Sequence, residues 1–384
     1  MQLPPLGLYI HFPWCVKKCP YCDFNSHTLK SELPENDYIS CLLENAKLVL
    51  PYVQGRSIHS IFMGGGTPSL FSAGALNRLL EGLRQLLTFE DNIEITLEAN
   101  PGTVEQQRFT DYRNIGINRL SLGIQSFNEE KLAALGRIHN GTEAKRAIET
   151  VRNAGFTNFN CDLMFGLPHQ TLKEGLADLE EAIAHSPTHL SWYELTLEPN
   201  TYFWHHPPKL PVDDLIIDLQ EQGQARLQEA GYSQYEVSAY SKDIPCRHNM
   251  NYWQFGDYLA IGAGAHGKIT LAESQSVLRY HHFRQPKQYL DHTQGFVLES
   301  TNVPKTQLAF EFMLNALRLK AGVQTKLFAQ RTGQDLATIH STLHHALLKG
   351  WLHPFDQQLC TTALGYRFLN DVVSLFLPQN EARD

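Results

Sequence analysis

Three of the seven cysteines fall within eight residues, as Cys15, Cys19 and Cys22 in a C-x3-C-x2-C set. Three thiolates from one loop can each take one iron of a 4Fe-4S cluster and leave the fourth iron open to another ligand. Such a loop serves chemistry rather than bracing. A structural zinc site would need a fourth protein ligand, which His11 or His27 could supply, so the spacing alone leaves zinc open. Nothing at the N-terminus has a secretory pattern, which argues against a disulfide. The odd cysteine count then points to thiols kept for ligation in a reducing cytoplasm.

Further residues able to do chemistry recur downstream. Gly64-Gly65-Gly66-Thr67-Pro68 lacks the Gly-Lys-Ser/Thr ending of a phosphate-binding loop and the G-x-G-x-x-G of a dinucleotide fold. By itself it reads as a tight turn, although glycines also let backbone approach a ligand closely. Glu98, before Ala-Asn-Pro, and Asp162, inside the apolar stretch Phe159 to Leu167, are acids where a strand would be buried. Burying them is costly unless they are paired or bound to a ligand. Gln125 and Arg137, taken singly, read as an ordinary surface amide and guanidinium.

The elements that must position these residues alternate between β-rich apolar runs and amphipathic helical stretches from residue 6 to about 199, the pattern of repeated βα units and a parallel sheet. Six strands are expected: Leu6 to Pro13, Ile58 to Gly64, Asn92 to Asn100, Arg119 to Phe127, Asn158 to Leu167 and His189 to Leu197. Thr103 with Gln106 and Thr171 with Glu174 fit capping boxes, and Leu172, Leu176, Leu179 and Ile183 then share one helix face. The regular spacing favours an α/β fold in the form of a partial (β/α)6 TIM-like barrel. In parallel α/β folds, sites gather at the carboxyl ends of strands. The cysteine loop, the glycine turn, Glu98, Gln125, Arg137, Asp162, Tyr193 and Thr196 all fall at or past that half of their units.

Composition narrows the function classes. At 384 residues the chain holds a full catalytic domain plus something smaller. A net charge of −8 with both signs interspersed indicates neither a nucleic-acid footprint nor a polybasic membrane anchor. No apolar run reaches the length of a transmembrane segment.

With these residues laid out in this order, and Tyr-Ile-His-Phe-Pro-Trp-Cys leading into the cysteine set, the sequence resembles the radical S-adenosylmethionine (SAM) superfamily. It is most similar to the branch containing oxygen-independent coproporphyrinogen III dehydrogenase. The resemblance implies a 4Fe-4S cluster on Cys15, Cys19 and Cys22, with S-adenosylmethionine on the open iron. It also implies that Tyr9 and Tyr21 lie against the cofactor, that Gly65, Gly66 and Thr67 take its amino group with Glu98 close by, and that Gln125, Arg137 and Asp162 contact it. Thr196 would lie near the adenine. Forked donors suit Arg137 to a carboxylate, and an acceptor suits Asp162 to a ribose diol. Reduction of the sulfonium by the cluster would give methionine and a 5'-deoxyadenosyl radical.

Two features separate members of that branch. The dehydrogenases carry a fourth cysteine in a Cys-x-Cys ending, where this chain has Phe24, which puts radical decarboxylation in porphyrin biosynthesis in doubt. The string His248-Asn-x-x-Tyr252-Trp253, with Asp23-Phe24-Asn25-Ser26-His27, is similar to the HemW-type heme chaperones. That resemblance implies heme as cargo, His248 as heme-iron ligand, heme-acceptor proteins and an electron donor as partners, and a cytoplasmic protein. Tyr252 and Trp253 could pack on a porphyrin face, or the string could form a polar and aromatic plug in the barrel. His266, in the turn Gly262-Ala-Gly-Ala-His-Gly267, is a second candidate ligand. Peripheral membrane contact and a homodimer stay compatible with the sequence.

The organisation expected is a barrel over residues 1–210, a barrel extension carrying the His-Asn-x-x-Tyr-Trp string over 211–300, and a small, mainly helical C-terminal domain over 301–384. In the last, Phe310, Leu314 and Leu317, then Ile339, Leu343 and Leu347, precede a β-like Gly350-Trp351-Leu352, which suggests a winged-helix arrangement. Without a basic helix, it reads as a cap or partner surface rather than a DNA reader.

Overall fold

A computed structural model describes residues 1–102, 108–293 and 295–378. Among them, one sheet holds twelve strands: β1 (Leu6–Phe12), β2 (Ile58–Gly65), β3 (Phe89–Ala99), β4 (Arg119–Gln125), β5 (Phe159–Phe165), β6 (His189–Glu194), β7 (Ser233–Glu236), β8 (Ala239–Ser241), β9 (Asp257–Ile261), β10 (His266–Leu271), β11 (Ser276–His282) and β12 (Val297–Asn302). Their order is β12-β11-β10-β9-β1-β2-β3-β4-β5-β6-β8-β7. From β1 to β6 neighbours are consecutive and parallel, as the alternating pattern predicts. The curl never closes, because the free edge of β1 takes β9 in parallel and β6 takes β8 in antiparallel. The fold is therefore the incomplete six-unit barrel, extended at both edges.

The side-chain period of two explains the site. On β1, Leu6, Leu8, Ile10 and Phe12 are fully buried against the helical layer, which leaves Gly7, Tyr9 and His11 to face the lumen. On β3 to β6 the lumen positions are polar, and register stacks them. Glu98 lies opposite Ser121, Ser121 opposite Asn160, and Asp162 opposite Ser191.

Between the strands, the helix Leu172–Ala184 starts with the expected capping box. The Thr171 side chain accepts the Glu174 N–H, and the Glu174 carboxylate takes the Thr171 N–H. Leu176 and Leu179 are buried on its inner face, with Leu172 and Ile183 packed at the edge of the same core. An equivalent box at Asn140 and Glu143 starts the helix Gly141–Asn153. The Thr103–Gln106 box lies outside the described residues.

Beyond Val303 a second hydrophobic core forms around Phe312, Met313, Phe328, Leu343 and Val372. Helices dominate it, with a short antiparallel pair, Val323–Gln324 against Gln358–Leu359, and a bridge from Leu352 to Thr361. Phe255 and Val277 join this core from the sheet side, and Arg279 reaches Glu311 at 2.6 Å. No helix among the described residues is long and apolar enough to cross a membrane.

Candidate functional site

The cysteine loop leaves the carboxyl end of β1 and is pinned at both ends. Trp14–Cys15 pairs in parallel with His27–Thr28, and the Asn25 amide donates to the carbonyls of Ala263 and Arg284, each at 2.9 Å. Lys18, itself exposed, ties the loop together through the carbonyls of Phe24 and Ser26, both at 3.1 Å. All three cysteines are free and half-buried, and all three line one cavity of about 400 Å³.

That cavity gathers most of the residues singled out in the sequence. Tyr21, Gly65, Gly66, Thr67, Glu98, Gln125, Arg137, Asp162 and Thr196 line it with the cysteines. Tyr9 does not. It lines a second cavity of about 460 Å³, which shares Phe24, Gly65 and Glu98 with the first. His248 lines neither cavity.

The glycine turn earns its composition from close approach to the cysteine loop. A Cβ on Gly66 would stand 2.5 Å from the Trp14 carbonyl oxygen, and one on Gly65 would meet the His11 ring at 2.4 Å. Gly65 also has φ +112, in the region that favours glycine. The N–H groups here are already engaged: Gly65 donates to Glu98 at 3.1 Å, Gly66 to the Phe12 carbonyl and Thr67 to the Trp14 carbonyl, both at 2.7 Å. With those N–H groups engaged, what the turn has left to offer a ligand is acceptor oxygens, the groups an ammonium requires.

Burial of unscreened charge dominates the electrostatics. It pushes Glu98 up to about 7, with Asp162 adding to the shift and the Gly65 N–H opposing it. Asp162 is also raised by burial, while Ser121 at 3.0 Å and Asn160 at 2.8 Å satisfy its oxygens. Burial is likewise the main cause that raises the Cys15 and Cys22 thiols. A bound metal reverses that logic, since a coordinating thiol is deprotonated outright.

Arg137 is fastened in place. It donates to Asn100 Oδ1 and the Gly123 carbonyl, both at 2.6 Å, and reaches Cys19 Sγ at 3.7 Å. Its charge therefore stands beside the cysteine loop as well as in the cavity. Gln125 sits at φ +70, unusual for a non-glycine residue, where β4 and β5 slip register; its Oε1 accepts from Tyr193 at 2.8 Å. Thr196 donates to Glu198 at 2.9 Å on the exposed rim.

The donor set fits a cluster better than zinc. His11 is held by Tyr9 and the Asn25 carbonyl and lines only the second cavity, while His27 leans on Asn25 Oδ1 at 3.3 Å. Among the described residues no three His, Cys, Asp or Glu side chains are grouped around a position for a single ion. A cluster takes one thiolate per iron, which three cysteines around one cavity can supply.

The helix Arg247–Trp253 fills the lumen beside β1. Its start is bolted to Glu94, which accepts the N–H groups of Arg247 and His248, both at 3.2 Å. The His248 ring stacks on Phe62 at 4.6 Å and meets Tyr252 edge-on at 4.7 Å; its Nδ1 is buried without a partner. Tyr252 lines the second cavity, whereas Trp253 turns the other way, packs on the C-terminal core and carries Arg318 over its ring at 4.4 Å. Asn100, Ser121, Asn160 and Ser191 are site residues the sequence reading passed over. Their signal is a small polar residue at every second position of otherwise apolar strands.

Residues 9–182 match the Radical SAM superfamily, and residues 303–368 match the HemN C-terminal domain. The chain is 51% identical to heme chaperone HemW of Haemophilus influenzae over 98% of this chain and 99% of that one. It is 50% identical to heme chaperone HemW of Escherichia coli over 99% and 100%. The solved coproporphyrinogen III oxidase (HemN) of Escherichia coli superposes with a TM-score of 0.82, covering 97% of this chain and 90% of that one, at 21% identity, a likeness of fold alone. The chain belongs to the HemW family of the radical SAM superfamily.

Proposed function

We propose that this protein is a cytoplasmic heme chaperone that holds a 4Fe-4S cluster on Cys15, Cys19 and Cys22, binds S-adenosylmethionine in the first cavity and passes heme to acceptor proteins. The observation that carries this reading is identity of about half to heme chaperones along essentially the whole chain. Phe24 in place of the fourth cysteine supports it, and the 21% likeness to coproporphyrinogen III oxidase does not extend to activity.

Within the first cavity the residues divide the work by chemistry. Glu98 and the acceptors of the glycine turn suit an ammonium, Asp162 suits a ribose diol, and Arg137 suits a carboxylate. Tyr21 and Thr196 would close over the remainder of the cofactor, and Gln125, held by Tyr193, keeps the floor polar. Tyr9 would act from the neighbouring wall. The cluster supplies a single electron when reduced, so a protein electron donor is a further partner. Acceptors at a membrane would be met by peripheral contact.

The test is a heme titration of the anaerobically reconstituted protein, run beside an assay for carbon dioxide release from coproporphyrinogen III. Stoichiometric heme uptake without decarboxylation is expected. Heme binding at background level would sink the reading.

A further inference from the structure

The second cavity has no role in holding the cluster, and its walls are unlike those of the first. Three tyrosines, Tyr9, Tyr252 and Tyr258, line it, with Phe24 at the border to the first cavity and His266 and Arg284 at its mouth. Its volume of about 460 Å³ lies in the range of small-molecule sites, which are mostly aromatic or apolar with a few placed polar groups.

We propose, building on the heme-chaperone reading, that this cavity receives the heme and that His266, rather than His248, supplies the imidazole to its iron. His248 is enclosed. Tyr9 and Tyr252 stand around its ring, Phe62 covers a face at 4.6 Å, and it lines neither of the two cavities described above. An iron at its nitrogen would require the aromatic packing to open.

His266 has the opposite setting. It begins β10 at the end of the small-residue turn, is exposed, and lines the cavity. His281, its partner across the strand pair, stacks on it at 5.0 Å with the planes 16° apart, a contact that favours one setting of the ring. A histidine held in this way donates a ring-nitrogen lone pair to iron with little ordering left to do. Arg284, on the same rim, has no ion-pair partner among the described residues, and its forked donors match a porphyrin carboxylate. The aromatic wall offers faces for the macrocycle. Because Phe24, Gly65 and Glu98 belong to both cavities, cargo here would border the S-adenosylmethionine site.

The test uses the full chain, titrated with hemin and followed by its Soret band and by resonance Raman scattering. His266→Ala should weaken heme binding by about tenfold or more and remove the imidazole–iron signature. His266→Gly with added imidazole should regain that signature, which separates loss of a ligand from misfolding. His248→Phe, which keeps the aromatic stack, should bind like wild type. A His266→Ala protein with wild-type affinity and spectrum would overturn the assignment while leaving the chaperone reading intact. A wild-type protein that takes up no heme would overturn both.

Discussion

Glu98 accepts the backbone N–H of Gly65 at 3.1 Å, on the wall that the two cavities share. The contact ties a buried acid to the turn that supports the cysteine loop, so the charge of Glu98 and the placement of the loop are coupled.

Burial raises Glu98 to about 7, so in the ligand-free protein it is neutral below that pH and charged above it. An ammonium is attracted only to the charged form. Affinity for S-adenosylmethionine should therefore fall as pH drops through about 7, and Glu98→Gln should weaken binding by about tenfold at pH 8 and flatten the dependence. The stability effect has the opposite sign. A raised acid costs the folded state stability as pH climbs from its ordinary value through about 7, so ligand-free Glu98→Gln should melt above wild type at pH 8. Calorimetry with and without ligand checks both.

Replacing Cys15, Cys19 or Cys22 by Ala, one at a time, should each abolish stable cluster assembly, because no other cysteine lines that cavity. Iron and acid-labile sulfide after anaerobic reconstitution provide the measurement. Stoichiometric zinc without sulfide in the wild type would contradict the assignment.

Gly66→Ala should act on the cysteine loop without removing a ligand. Its Cβ would be forced against the backbone carbonyl oxygens of Trp14 at 2.5 Å and Phe12 at 2.8 Å, neither of which can swing aside. A loss of about 1–3 kcal/mol is expected, from overpacking, together with lowered cluster occupancy. Denaturant midpoints beside iron content would show it, and wild-type values for both would refute it.

Asp257 tests the join between β1 and β9, far from the chemistry. Its fully buried carboxylate pairs with Arg56 at 2.7 Å and with buried Lys268 at 3.1 Å, and it also takes the Thr270 N–H and hydroxyl. Asp257→Ala strands the Lys268 ammonium and should cost about 3–5 kcal/mol. Replacing Lys268 by Met as well should recover part of that loss, read as a shift of the urea midpoint.

Much of this molecule was legible in the order of residues, for local reasons. Parallel strands buried on both sides read as short apolar runs, and helices declare themselves by caps and period. The six barrel strands and the Thr171 box follow from rules that act over a few residues. The cysteine spacing and Phe24 are likewise local, and Glu98 and Asp162 stood out because a buried strand rarely carries an acid. What only the tertiary structure decided depends on contacts between distant segments. The aromatic plug is one of two readings the string leaves open, with Tyr252 one turn from His248; that Tyr9 and Phe62 complete the enclosure of that ring, and that residue 266 opens on a cavity beside the cysteine loop, is set by segments far away in the chain. Nor could the apolar pattern reveal that β9 would take the edge of β1 and hold the barrel open, because strand pairing across some 250 residues is set by register and burial, not by local propensity.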